Sequence, residues 1–386
     1  MTWYDFYIMT EKEPRDRKRQ TILGIGAFLV VVGILVVGLI DFSAVTYSKE
    51  GMIKSVDDKQ VAALEEAFPA TTSWPETLDT KTYDERMLSL ARYRASTTTS
   101  LIYSSTTNVT IKSKLWPTSA PYPNGGAIVP FKRILAFYGN LYSVHMGILG
   151  ELPADQMLAK LKSVKEQWEA ADPSTPVMPA IEYIAMVAQA DGGKDGMYRA
   201  VMPDTEIEKG YALAKRAGGI YIIDLQVGKS TIQKELPQFK KYLERPDVHL
   251  ALDPEFSMKS GDKPGDVVGT YNASDVNYVI NFLSEIVKEK QLPPKVLIVH
   301  RFTQNMVTGT AAIKPTSEVQ VIMDMDGWGA QANKIGTYNR YIAPEPVQFT
   351  GLKLFYKNDL KPPSTGLLTP KEVLQLNPVP IFIQYQ

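Results

Sequence analysis

The sequence predicts a (β/α)8 barrel, TIM-like in architecture, that follows one transmembrane helix and a stalk. Three observations predict it: an uncharged apolar segment near the N-terminus, eight short β-rich runs after residue 133, and helical patterns in most intervals between the runs. Strands that alternate with helices form parallel βαβ units, and eight units in about 250 residues match this barrel in number and size. The runs are residues 134–140, 177–184, 219–226, 248–255, 295–302, 319–326, 351–357 and 379–385.

Helical patterns fill most of the seven intervals between the runs, and 303–318 is the weakest of them. An N-cap threonine, a proline at the first helical position and a capping-box glutamate predict a helix start at Thr369 to Glu372. No helix follows the eighth run, and we expect a helix from residues 41–130 to cover that gap. An open doubly wound sheet is the alternative, but no G-x-G-x-x-G turn follows the first run. The clear helical patterns are Ala154–Ala171, 205–217, 232–244 and 274–290.

Residues 22–40 predict the transmembrane helix, because none of these nineteen side chains is charged or strongly polar. At about 1.5 Å per residue they span roughly the 30 Å core of a bilayer. A cleaved signal peptide usually has a shorter apolar region and an A-x-A-like site, which residues 41–45 match poorly. Five basic residues precede the helix, so the positive-inside rule predicts a cytoplasmic N-terminus and an exported C-terminal part. The basic residues are Lys12, Arg15, Arg17, Lys18 and Arg19.

Composition limits the partners of the chain. It carries 42 basic and 42 acidic side chains, so no excess of positive charge favours nucleic acid. It has no cysteine, which excludes disulfides, thiol catalysis and zinc–thiolate sites. The predicted protein is a single-pass membrane protein with its barrel outside the cytoplasm. Its predicted parts are a tail (1–21), the transmembrane helix (22–40), a stalk with short helices (41–130) and the barrel domain (131–386).

Polar residues lie at the end of every run, where a parallel barrel collects its functional groups. Such residues are costly inside apolar strands unless they are paired or used. Carboxylates near four strand ends favour an active site, although structural ion-pair networks also contain them. The catalytic candidates are Asp224, Asp253, Glu255, His300 and Asp324. The substrate-binding candidates are Tyr138, Asn140, Glu182, Gln226, Asp326, Trp328, Tyr356 and Gln384.

Asp253 and Glu255 are the most specific pair among the catalytic candidates. A spacing of two residues puts both on one face of a strand, together with Ala251. Two carboxylates at short range raise the pKa of one of them, which leaves a proton donor beside a charged partner. In the alternative reading, Asp253-Pro254 only ends the strand with a turn. His300 titrates near neutrality and is either a site residue or a hydrogen-bonded core residue, while His249 is expected to face the helices.

No H-x-H or H-E-x-x-H spacing occurs, so the sequence predicts no histidine-based zinc site and no cofactor. The loops at the predicted mouth are long and contain aromatic residues, among them Tyr198, Tyr271 and Trp328. Aromatic rings on such loops suit stacking against the apolar faces of sugars, although they also serve to pack loops.

The stretch from Arg133 to Trp328 resembles an uncharacterised group of exported bacterial proteins, often lipoproteins. The matching segments are 134–140, 248–256 and 299–302. This resemblance implies export and a barrel but no particular activity.

Asp253-Pro254-Glu255 is also similar to the chitinase-like glycoside hydrolases, which place an Asp-x-Glu at the end of strand four. The resemblance implies that Glu255 is the acid. The earlier aspartates of that motif fall here on Val248 and Ala251, and the eighth run lacks the usual tryptophan of that family. Only the end of the motif therefore matches.

The favoured function is a glycoside-hydrolase-like enzyme that acts on polysaccharide. Glu255 is then the acid, and Asp253, Asp224 or Asp324 is the base or a stabilising group.

Two alternatives remain open. One is a divalent-metal phosphodiesterase, in which Glu182, Asp253 and Glu255 are ligands and His300 is acid or base. The other is a non-catalytic barrel that binds glycan or protein at the cell surface. Salt bridges that block the mouth favour the second alternative, and Arg199, Arg301 and Lys357 are available to form them.

Overall fold

Residues 77–91, 118 and 120–386 are described by the computed structural model, and they contain a closed barrel of eight parallel strands. The first strand pairs in parallel with both the second and the eighth, which closes the sheet. The predicted barrel is confirmed, and an open sheet is excluded. The strands are β1 (Arg133–Gly139), β2 (Val177–Ala188), β3 (Ile220–Leu225), β4 (Val248–Leu252), β5 (Lys295–Arg301), β6 (Val319–Met325), β7 (Phe349–Leu354) and β8 (Phe382–Tyr385).

Helices connect most of the strands on the outside of the barrel. The predicted capping box at Thr369 is confirmed, but the helix that it starts is only the four residues Pro370–Val373. The longer helices in the described residues are α1 (Thr80–Leu90), α2 (Ala154–Ala171), α3 (Asp204–Arg216), α4 (Ala273–Lys290) and α5 (Gln331–Thr337).

Two intervals differ from the prediction. The expected helix at 232–244 breaks into Ile232–Glu235, a 3-10 turn at Leu236–Phe239 and Lys240–Leu243. Pro237 lies at the break, because a proline lacks the amide hydrogen that an α-helix needs there and crowds the preceding turn. Between β5 and β6 the described chain forms 3-10 turns and a two-residue strand, Val307–Thr308, which pairs with Tyr271–Asn272.

The core has two layers because side chains alternate across each strand. One layer lies between the strands and the helices and contains large side chains such as Trp168 of α2 and Tyr221 of β3. The other layer fills the half of the lumen near the N-terminal ends of the strands, which we call the lower lumen. Its residues are Ile134, Ala136, Ala180, Ile220, Ile222, Ala251, Val296, Ile298, Ile322, Phe349 and Phe382.

Helix α1 closes the lower lumen. Its buried residues Tyr83, Met87 and Leu90 pack against this layer, and the Leu90 carbonyl accepts a hydrogen bond of 2.9 Å from the amide of Val379. α1 thus lies at the N-terminal end of the barrel, and since most of residues 41–130 lie outside the described residues, a helix over the gap after β8 stays a prediction. Apolar side chains of α1 and of the lower lumen bury each other at the N-terminal end, which explains the position of α1.

The predicted tail, the transmembrane helix at 22–40 and much of the predicted stalk lie outside the described residues. Within the part of the chain that the structure describes, every helix is too short or too polar to cross a membrane. The division into tail, membrane helix, stalk and barrel domain stays a prediction.

Candidate active site

Each of the eight strands contributes one polar or tyrosine side chain to the C-terminal half of the lumen, which we call the upper lumen. They follow the lower-lumen residues by two positions or more, so the alternation of the strands directs them inward. None is more than 3% exposed. In strand order, they are Tyr138, Glu182, Asp224, Asp253 (directly after β4), His300, Asp324, Lys353 and Gln384.

His300 lies at the centre of this set. Its Nδ1 is 3.0 Å from Asp324 Oδ2, because the two residues face each other across β5 and β6. Its Nε2 is 3.2 Å from Glu182 Oε1 and 4.0 Å from Asp224 Oδ2. Burial lowers the pKa of His300, but the hydrogen bonds to Asp324 and Glu182 and the charge of Asp326 raise it well above its usual value. The imidazole therefore joins three carboxylates from three strands.

Asp324 fits beside β7 because residue 351 is a glycine. A Cβ atom at Gly351 would lie 2.5 Å from Asp324 Oδ1 and 2.9 Å from a ring carbon of Phe382. Gly351 pairs with Asp324 in the β6–β7 register, so no side chain separates the carboxylate from the wall of the barrel. The glycine thus makes room for the carboxylate that holds His300.

Lys353 is the functional candidate that the sequence analysis missed. Its Nζ is 3.1 Å from Asp326 Oδ1 and 3.8 Å from the centre of the Tyr138 ring. Burial lowers the pKa of Lys353, but Asp326, Asp253 and Glu182 raise it more, so the net shift is upward. A charged residue within an apolar strand, one position before its end and two after Gly351, is the signal that identifies it. We had instead considered Lys357.

Gln226 joins the two sides of the upper lumen. Its Nε2 donates to Asp253 Oδ2 at 3.1 Å and to the Tyr138 hydroxyl at 3.3 Å, and its Oε1 accepts from the Ala188 amide at 3.0 Å. The side chain is 5% exposed and all three contacts fix its orientation. Gln226 therefore positions Asp253 and Tyr138.

Burial raises the pKa of three carboxyl groups in the upper lumen. The pKa of Asp253 rises to about 8, and the charge of Asp224 adds to the shift. The pKa of Asp224 rises to about 7 even though His300 opposes the rise, and that of Asp324 rises to about 6 against its hydrogen bond to His300. Carboxyl groups that hold protons near neutrality are characteristic of acid–base sites and of crowded ion-pair networks.

Glu255 lies at the mouth, above these buried groups. The prediction that Asp253 and Glu255 share one face of a strand is wrong, because β4 ends at Leu252. Glu255 belongs instead to the 3-10 turn Pro254–Phe256. The turn is braced by a 2.7 Å hydrogen bond from the Gly269 amide to the Glu255 carbonyl. Glu255 remains partly exposed. Burial, Asp253 and Asp326 raise its pKa well above the usual value. The turn of the alternative reading is therefore present, and Asp253 still raises the pKa of Glu255.

Two predicted binding residues lie elsewhere, and a third lies at the rim as expected. Tyr356 stacks on Tyr385, with ring centres 5.2 Å apart, in the layer between strands and helices, so it does not reach the lumen. Asn140 is buried and braces the loop after β1, donating to the Ile184 carbonyl and accepting from the Tyr142 amide. Trp328 lies at the rim after β6 and is 37% exposed.

The three cations that were available to block the mouth have partners elsewhere. Arg199 pairs with Asp195 and Glu235, Arg301 with Glu345, and Lys357 with Glu151.

His249 was expected to face the helices, but it lies two residues from the lower-lumen residue Ala251 and accepts a hydrogen bond from the Val296 amide. The expectation was wrong because residues 249, 251 and 253 share one side of β4.

A group of possible metal ligands exists within the upper lumen. One donor atom each from Glu182, Asp224 and His300 lies within 4.8 Å of the other two. The metal ligands considered from the sequence were Glu182, Asp253 and Glu255, so only Glu182 is common to both sets.

No protein-family model and no curated protein matches the chain. Among solved structures, it is similar to the Bacillus subtilis mannanase man26, with 12% identity, 66% of this chain and 79% of that chain covered, and a TM-score of 0.36. It is also similar to a GH5-4 broad specificity endoglucanase from an uncultured bovine rumen ciliate, with 10% identity, coverages of 61% and 76%, and a TM-score of 0.33. Likeness at this level carries no argument about activity, and the exported bacterial group stays a prediction.

Proposed function

We propose that this protein is a glycoside-hydrolase-like enzyme that cleaves polysaccharide by carboxylate acid–base catalysis. The observation that carries the proposal is Glu255, a partly exposed carboxyl group at the mouth whose pKa is raised by burial and by Asp253 and Asp326. A carboxyl group with a raised pKa is the kind of group that protonates a glycosidic oxygen.

Asp326 is the second carboxylate of the proposed reaction. It is 7% exposed, and its Oδ1 lies 3.1 Å from Lys353 Nζ. Glu255 donates its proton to the leaving oxygen as the bond from that oxygen to the sugar carbon breaks. Water supplies the new oxygen on the carbon, and Asp326 accepts the proton that the water loses. Asp253 lies beneath these two groups and raises the pKa of Glu255, and Asp224 and Asp324 complete the buried carboxyl groups of the upper lumen.

Exposed aromatic rings at the rim support a sugar substrate. Trp328 follows β6, and Tyr142, which is 63% exposed, follows β1. Such rings offer flat apolar surfaces for the C–H faces of sugars. The apolar segment 22–40 supports the further proposal that the barrel is anchored outside the cytoplasm, where polysaccharide of the envelope or the surroundings is accessible.

The test compares wild type with Glu255→Gln, which keeps the shape of the side chain and removes its proton. The full chain is purified in detergent, and new reducing ends are measured on a panel of soluble polysaccharides. General acid catalysis contributes about 10²–10⁴-fold, so we expect a loss of that size. Glu166→Gln, at an exposed position of α2, is the matched control and keeps full activity. Equal activity of Glu255→Gln and wild type would remove Glu255 from the mechanism, and no hydrolysis by wild type would favour the non-catalytic barrel.

A further inference from the structure

We propose that the upper lumen binds one divalent first-row transition-metal ion, held by Glu182, Asp224 and His300. This proposal does not depend on the proposed hydrolase, because it concerns the floor of the lumen beneath the mouth. The three ligands come from β2, β3 and β5, which the closed sheet turns toward a common interior. It also differs from the metal site considered from the sequence, which used Asp253 and Glu255.

The distances between the donor atoms suit a common ion after a small movement. His300 Nε2 is 3.2 Å from Glu182 Oε1 and 4.0 Å from Asp224 Oδ2. Donors about 2.0–2.2 Å from one metal ion are roughly 3–3.5 Å apart when they occupy neighbouring positions. All three donor atoms lie within 4.8 Å of one another, so side-chain torsion changes must draw them together for one ion to contact all three.

Asp224 supplies the observation that points to a ligand. Its side chain is completely buried, and neither carboxylate oxygen makes a hydrogen bond in the described structure. The Tyr138 hydroxyl lies close enough to lower the pKa of Asp224 but does not have hydrogen-bond geometry to either oxygen. Glu182 Oε2 is also buried and without a partner. Buried carboxylate oxygens are costly when they are unpaired, and a metal ion between them removes that cost.

The orientation of His300 is the one that a metal ligand needs. Its Nδ1 faces Asp324 at 3.0 Å, so in one tautomer Nδ1–H donates to Asp324 and the Nε2 lone pair points to Glu182 and Asp224. Histidines that bind metals usually donate their other ring N–H to a carboxylate in this way. Gly351 leaves the space for that carboxylate. The support for His300 is thus built into β6 and β7.

The ligand set selects the class of ion. One imidazole nitrogen and two carboxylates suit Mn²⁺ or Zn²⁺, whereas Ca²⁺ takes six to eight oxygen ligands and Mg²⁺ usually keeps several waters. The charge also fits. Five carboxyl groups lie in or beside the upper lumen, and Lys353 pairs with one of them. A neutral His300 adds no charge, so a divalent ion compensates two further negative charges. The carboxyl groups are those of Glu182, Asp224, Asp253, Asp324 and Asp326.

The experiment measures metal binding in the absence of substrate, so its result is separate from the fate of the hydrolase proposal. The full chain is stripped with a chelator, and Mn²⁺ and Zn²⁺ are titrated separately by calorimetry, with metal content measured after dialysis. We expect one ion per chain. Glu182→Gln and Asp224→Asn should each abolish measurable binding, and Asp324→Asn, which acts through His300, should weaken it by about 10–100-fold.

Glu166→Gln is the matched control and should bind as wild type does. Circular dichroism establishes that each variant is folded, and either ligand variant suffices if the other fails to fold. Wild type that binds neither ion would overturn the proposal and leave a proton-sharing network in the lumen. Binding that the ligand variants weaken no more than Glu166→Gln does would overturn it as well, because the ion would then sit elsewhere.

Discussion

The lower and upper halves of one barrel lumen differ in chemistry although they are built from the same strands. Ile222, Ile298 and Ile322 face the lower lumen, and the residues two positions later, Asp224, His300 and Asp324, face the upper lumen. All six side chains are completely buried. Because the two sets of side chains are equally buried, the difference between the two halves comes from side-chain chemistry and not from exposure.

The lower lumen contributes to folding, because apolar side chains gain free energy when they leave water. The upper lumen contains carboxyl groups whose pKa values burial raises, which means that their charged forms are disfavoured there. Natural proteins retain such groups where activity needs them, at some expense of stability. The comparison therefore assigns stability to the half near α1, and both proposals concern the half near the mouth, where barrels of this class place their sites.

The largest expected effect on stability lies in the lower lumen. Phe349→Ala removes a completely buried ring, and we expect it to lower the free energy of unfolding by about 3–5 kcal/mol. Urea denaturation followed by fluorescence measures the change. Leu360→Ala, at a side chain that is 50% exposed, is the control and should change the free energy by less than about 0.5 kcal/mol. A loss below about 1 kcal/mol for Phe349→Ala would contradict the role given to the lower lumen.

A smaller effect is expected when pH changes the charge of the upper lumen. Asp253 has a pKa of about 8 in the folded protein, raised from its ordinary value of 3.8. This raised pKa stabilises the folded protein fully below pH 3.8, and the stabilisation is lost as the pH rises to about 8. Between pH 5 and pH 7, the free energy of unfolding should fall by about 2–3 kcal/mol from this group.

Urea denaturation of the full chain with a chelator present, at steps between pH 5 and pH 7, measures this slope. Asp253→Asn should make the slope shallower, and Asp224 and Asp324, whose pKa values are also raised, should retain part of it. Exposed carboxylates such as Asp204 and Glu244 have lowered pKa values, so their contribution to the slope has the opposite sign. A stability that rises between pH 5 and pH 7 would contradict the prediction. The groups that act on Asp253 from the other strands are Asp224, His300, Asp326 and Lys353.

The fold was largely predictable from the sequence because each barrel strand forms a continuous apolar run. All eight runs correspond to strands, and the pattern of Ala154–Ala171 matches α2 in both bounds. The helix expected at 232–244 failed at Pro237, where a local backbone constraint outweighs the apolar periodicity. The position of α1 was not predictable, because a helical pattern states which face is apolar but not which surface covers it.

The sequence predicted which residues line the candidate site better than it predicted which of them contact one another. Parallel strands bring their ends to one rim, so most polar strand-end residues meet in the upper lumen. Tyr356 fails because it lies after the end of β7, where the alternation no longer fixes the side chain. Lys353 was missed because the predicted run extended to residue 357, which placed the strand end after the lysine. The pairing of His300 with Asp324 depends on register, which spacing along one chain does not reveal.

The smallest expected effect has the opposite sign to that of Phe349→Ala. Asp224→Asn replaces a buried carboxyl group that has no hydrogen-bond partner, and we expect it to raise the free energy of unfolding by about 1 kcal/mol when a chelator is present. Adding Mn²⁺ should reverse the order, because an ion that binds only folded wild type stabilises it and leaves the variant unchanged. Urea denaturation in both conditions measures the reversal. A loss of stability in chelator would show that Asp224 contributes to folding itself, and the distinction between the two halves of the lumen would then fail at this residue.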